Sequence, residues 1–87
     1  MSPRGRTEDQ QVQLTLDRVP TGGRAEVLDV RGGWSGHRRL MGLGIRPGAV
    51  LEVVSRHPLR GPIVVRLNGC QIALGRGLAH RVLVRPR

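Results

Sequence analysis

The sequence predicts a small, mainly β domain, a barrel or sandwich of about five short strands with one short helix. Three observations predict it. From Val12 onward, short apolar runs alternate with Gly and Pro, the punctuation of a chain that turns every few residues. One of those turns is Asn68-Gly69, the pair that best tolerates two successive positive φ angles, as a type I′ hairpin requires. Only residues 35–43 show helical spacing closed by a glycine.

Residues 1–11 are polar, lack periodicity and include Pro3 and Gly5, so they are expected to be a disordered tail. Residues 12–87 are the domain. Its first long strands are expected at 24–30 and 50–56. Both carry apolar residues on both faces, which suits central strands covered on two sides.

Between them a helix is expected from Ser35 to Leu43. Ser35 is a suitable N-cap. Leu40 and Leu43 lie three apart, with His37 three before Leu40, so the core face is expected to hold Leu40 and Leu43. Gly44 fits the left-handed position that ends a helix, with Ile45 making the hydrophobic contact that follows. Pro47 and Gly48 then stand at the second and third positions of a type II turn. Gly36 and Gly42 weaken the intrinsic helix propensity, so packing has to hold the helix.

The hairpin is the clearest element. A two-residue loop at Asn68 and Gly69 pairs Leu67 with Cys70, Val65 with Ile72, and Ile63 with Leu74. All six side chains then share one face, which is expected to be the core. A last strand around Val82 and Val84 closes the fold.

Composition excludes several classes. The chain has 87 residues, enough for one domain and one modest core. No apolar run approaches the ~20 residues of a membrane helix, and the N-terminus has no apolar signal region. Cys70 is the single cysteine, so no internal disulfide forms. A cytoplasmic protein is the expectation. The net charge is +9, and all fifteen basic residues are arginine. This suits an anionic partner, or reflects a GC-rich genome using arginine where lysine would serve.

His37, His57, His80 and Cys70 are not spaced as metal-ligand pairs, so no metal, cofactor or catalytic residue is expected. Gly33-Trp34-Ser35-Gly36 is not a nucleophile elbow, because His37 takes the place of its last glycine. Without lysine there is no Walker A motif. A basic small barrel that binds RNA is the rival reading. One tryptophan with no Phe or Tyr leaves little for bases to stack on.

The order of features matches a known pattern. Leu16 precedes Pro20-Thr21-Gly22, then a strand, then Gly32-Gly33. Arg39-Leu40-Met41-Gly42-Leu43-Gly44-Ile45-Arg46-Pro47-Gly48 follows. After it come Gly61-Pro62, the hairpin with Ile72-Ala73-Leu74, and Ala79 leading to Val82-Leu83-Val84. From about Leu14 to Val84 this resembles the ferrous iron transport protein A family. The resemblance implies an SH3-like barrel and a non-enzymatic, cytosolic accessory protein of bacterial ferrous iron uptake. It implies a partner too, the cytosolic G-protein domain of the membrane ferrous iron transporter. The same domain ends iron-dependent repressors, whose DNA-binding helices are not found ahead of it here. Two departures matter. Gly75, followed by Arg76, stands where relatives often carry Arg. The missing aromatics also remove the groove that SH3 folds use for proline-rich peptides.

The candidate interaction surface is the helix and its approach. Arg38, Arg39 and Met41 lie off the expected core face, and Trp34 is expected in the preceding loop. Aromatic and arginine side chains are common interface anchors.

Overall fold

The structure, a computed structural model, describes residues 13–59 and 61–87, with the backbone but not the side chain of Trp34. The expected tail at 1–11 lies outside the described residues. The chain runs through β1 (Leu14–Thr15), a 3-10 turn (Leu16–Arg18), β2 (Arg24–Val30), α1 (Trp34–Gly42) and β3 (Val50–Arg56). It continues through β4 (Ile63–Leu67), β5 (Cys70–Leu74), α2 (Arg76–Ala79) and β6 (Val82–Pro86).

Six strands form one antiparallel sheet in the order β1-β6-β2-β3-β4-β5. The strand beyond the expected five is β1, two residues long and too short to show a period of two. β2 and β3 are central, as their two apolar faces suggested.

Each central strand carries a register shift, between Val27 and Asp29 in β2 and between Val53 and Ser55 in β3. An extra residue at such a bulge sharpens the local twist. It also resets the alternation, so Val30 returns to the buried side although Val27 is buried three residues earlier. The core is wholly aliphatic among the described residues. Ala25, Val27, Leu51, Val53, Ile63, Val65, Val82 and Val84 fill it from the strands. Leu16, Val19, Leu40, Ile45 and Ala79 fill it from the connections.

The hairpin forms in the expected register, with Leu67 opposite Cys70, Val65 opposite Ile72 and Ile63 opposite Leu74. Asn68 (φ 53°) and Gly69 (φ 82°) supply the two positive angles. Burial along β5 corrects the expectation for Cys70. Leu74 is buried and Ile72 half-buried, but Cys70 is exposed. β5 is an edge strand, so Cys70 has no strand beyond it and is exposed although its partner Leu67 is buried.

α1 differs from expectation at both ends. Its N-cap is Gly33, with no side-chain cap, so Ser35 lies inside the helix and Trp34 is its first residue rather than part of the loop. The buried stripe is also rotated. His37, Leu40, Met41 and Gly44 face the sheet, and Leu43 is 39% exposed. On a helix, residue 43 sits about 60° from Leu40 on the side away from Met41. One rotation cannot bury both flanks. The turn at Gly44 selects Met41, which packs on the core.

The helix exit is as expected. Gly44 has φ +91°, its N–H donates to the Met41 carbonyl (3.0 Å), and the Ile45 N–H donates to the Leu40 carbonyl (3.0 Å). This is a Schellman closure. The Arg46-Pro47-Gly48 turn follows, with the Ala49 N–H donating to the Arg46 carbonyl at 3.0 Å and Gly48 at φ +95°. The Gly48 N–H donates to the Val27 carbonyl at 2.8 Å, which ties the end of α1 to β2. The 3-10 turn and α2 are too short for periodicity to reveal.

Candidate functional site

α1 is held from below by Leu40 and Ile45, both fully buried. Its outer face carries Ser35, Arg38, Arg39, Gly42 and Leu43, all exposed. Arg38 and Arg39 therefore stand where the sequence placed them. Met41 does not, because it lies half-buried against the core. Leu43, expected in the core, joins the outer face instead. Trp34 sits at the first position of α1 and its side chain is outside the described atoms.

A residue missed in the sequence completes this face. Arg81, in the turn between α2 and β6, is fixed by its carbonyl, which accepts the Arg31 N–H at 2.7 Å. Its side chain crosses the glycines around the start of α1. A Cβ on Gly32 would stand 2.4 Å from Arg81 Cδ and 2.5 Å from its Nη1, and one on Gly36 would stand 3.0 Å from Nη1. The signal available was the Gly32-Gly33-x-x-Gly36 spacing, which marks close approach by something bulky.

Ser35, Gly36, Arg39, Gly77, Leu78 and Arg81 line a cleft between α1 and α2. A second groove, lined by Asp17, Arg76, Gly77, His80 and Arg81, adjoins it. There Arg76 Nη2 donates to the His57 carbonyl at 2.9 Å, while Gly75 (φ −62°, ψ 156°) caps α2 without a side chain. His80 Nδ1 lies 3.3 Å from Asp17 Oδ2. Burial opposes ionisation of Asp17, but the neighbouring Thr15 hydroxyl and the His80 ring outweigh it. The carboxyl is held below its usual 3.8.

The remaining acids are mostly occupied elsewhere. Glu26 accepts from Arg85 (3.1 Å) and Arg87 (3.2 Å). The Arg85 hydrogen bond, with Arg87 beside it, keeps its carboxyl below the usual range. Glu52 accepts from Arg66 at 3.1 Å, and Asp29 accepts the Val30 N–H at 2.8 Å. No acid of the described residues faces Arg39 or Arg81 across their cleft. Exposed pairs such as Arg66–Glu52 add little stability. Their effect here is to leave the positive charge uneven. Among the described residues no three His, Cys, Asp or Glu side chains come together as a metal site, and no helix is long and apolar enough to cross a membrane.

Comparisons with known proteins agree with this geometry. Residues 14–86 match the FeoA domain family. A Methanocaldococcus jannaschii protein named as a Fe(2+) transport protein A is 34% identical over 58 residues, covering 67% of this chain and 68% of that one. A crystal structure described as the iron uptake regulatory protein FeoA superposes with a TM-score of 0.82 at 34% identity, covering 87% of this chain and all of the other (100%). The zinc complex of FeoA from Stenotrophomonas maltophilia, described as a prokaryotic SH3 domain protein, superposes with a TM-score of 0.72 at 29% identity. It covers 82% of this chain and 88% of its own.

Proposed function

The chain belongs to the FeoA domain family, associated with ferrous iron transport, and from that premise we propose that it is a cytoplasmic accessory protein that modulates the membrane ferrous iron transporter. It acts without catalysis, by binding the transporter's cytosolic G-protein domain through the outer face of α1.

The observation that supports this reading is the make-up of that face. Arg38, Arg39 and the exposed Leu43 stand together on a helix fixed at its base by buried Leu40 and at its exit by the Gly44 closure. A rigid helix with an exposed apolar residue beside guanidinium groups has the composition of an interface core and its charged rim. Trp34 is the first residue of the same helix, one turn before Arg38. An adaptor needs a preformed face of this kind, because ordering a flexible segment on binding would cost affinity.

The test is the affinity of the isolated G-protein domain for this chain and for a variant with alanine at Trp34, Arg38, Arg39 and Leu43. The wild type binds, and the variant loses about tenfold or more. Equal affinity of the two proteins would show that another surface is used.

A further inference from the structure

The cleft between α1 and α2 holds two guanidinium groups and no acid among its described lining residues, the Asp17 of the adjoining groove being paired with His80. Arg39 reaches it from the second turn of α1, and Arg81 from the turn before β6. Neither side chain has a hydrogen bond or ion pair among the described residues, whereas those of Arg56, Arg66, Arg76, Arg85 and Arg87 all do. Two like charges lining one cleft repel each other. The backbone keeps the cleft open at further cost, because Gly36 and Gly77 leave its floor bare. A side chain at position 36 would meet Arg81 Nη1 at 3.0 Å. At the same mouth, α1 begins its internal bonding only at the His37 N–H, which leaves the Ser35 and Gly36 N–H groups as further donors.

We propose that this cleft is a receptor for carboxylate side chains, and that Arg39 and Arg81 clamp an acidic segment of a partner protein. The inference deepens the adaptor reading and takes its partner, the G-protein domain, from that reading. Guanidinium groups suit carboxylates because their planar donors bind two oxygens at once. The cleft walls are mixed, with half-buried Leu78 beside the charges. A peptide offers both acidic and apolar groups to such walls. Among the cleft's described lining residues there is no aromatic ring on which a nucleic acid could stack a base. Two adjacent cations also make a point of attachment rather than a track for a phosphate backbone.

The occupant can be imitated from within the chain. A Cβ on Gly33 stands 3.8 Å from Arg81 Nη1 and touches nothing else, so Gly33→Asp places a carboxylate against Arg81 without a clash. Arg39 is exposed, so Arg39→Glu reverses one arm of the clamp without touching the core.

The experiment follows backbone amide shifts of the full chain at about 150 mM salt, where exposed charges more than ~8 Å apart are screened. One titrant is a short polyglutamate peptide, and the other is a polyuridylate RNA of matched charge. Saturable shifts at Ser35, Gly36, Gly77 and Arg81 with the peptide are expected. Arg39→Glu and Gly33→Asp should each weaken it by about tenfold. Shifts that are absent, or unaltered in both variants, overturn the clamp. Tighter binding of the RNA at the same amides overturns the acidic protein as occupant. The G-protein domain is then added to the same three proteins. Equal binding to all three removes the clamp and leaves the adaptor reading intact. Failure to bind any of them, with the peptide still held, removes the adaptor reading and leaves the clamp.

Discussion

The N–H of Ile45 donates to the carbonyl of Leu40 at 3.0 Å, and both side chains are fully buried. That one bond spans the end of α1 and turns the chain back into the core. It requires the positive φ of Gly44, +91°. A Cβ there would stand 3.3 Å from Leu67 Cδ2. Gly44→Ala is therefore expected to destabilise the fold by about 1–2 kcal/mol, from left-handed strain alone. Urea unfolding measures it.

Two residues earlier the same substitution has the opposite sign. Gly42 is the last helical residue of α1, and a Cβ on it meets nothing within 4 Å. Gly42→Ala should raise stability by about 0.5 kcal/mol through helix propensity. A loss in the same assay would mean that the outer face of α1 is covered in a way the structure does not show.

Leu40 and Leu43 separate by burial, at 0% and 39% exposed. Leu40→Ala should cost about 2–5 kcal/mol, as large-to-small changes in a closed core do. Leu43→Ala should fall within about 0.5 kcal/mol, the range of surface changes, yet weaken binding to the G-protein domain. Comparable stability losses would return Leu43 to the core.

Asp17 links stability to acid. Its folded-state pKa lies below 3.8, so folding favours its charged form. The stability this contributes is present above 3.8 and is lost as pH falls through the folded-state value. Asp17→Asn should flatten part of the acid limb of a stability-against-pH curve. Parallel curves for wild type and variant would assign that limb to other carboxylates.

What the sequence made legible were elements set by local chemistry. Asn68-Gly69 and Pro47-Gly48 fix turn types through φ alone, and the hairpin register follows once the loop is known. Gly44 with Ile45 shows where a helix must stop. The rotation of α1 was not legible, because Leu43 and Met41 are both apolar and flank Leu40 on opposite sides. Only the direction in which Gly44 sends the chain decides between them. Cys70 was misplaced for a related reason. Alternation assigns a face, but it does not say which strand lies at the sheet edge, where Cys70 is exposed opposite buried Leu67. Arg81 could not be assigned to the site from its neighbours in sequence. It lies 45 or more residues from Gly32 and Gly36 and meets them through the pairing of β6 with β2. The glycines were visible, but what they made room for was not.

The most direct test of the adaptor function is an amide-shift titration of this chain with the transporter's soluble G-protein domain, with RNA as the parallel ligand. Saturable shifts confined to residues 34–48 and the facing turn at Arg81, seen with the G-protein domain alone, are the predicted result. Shifts spread over the arginine-bearing strands with RNA, and none with the G-protein domain, would contradict it.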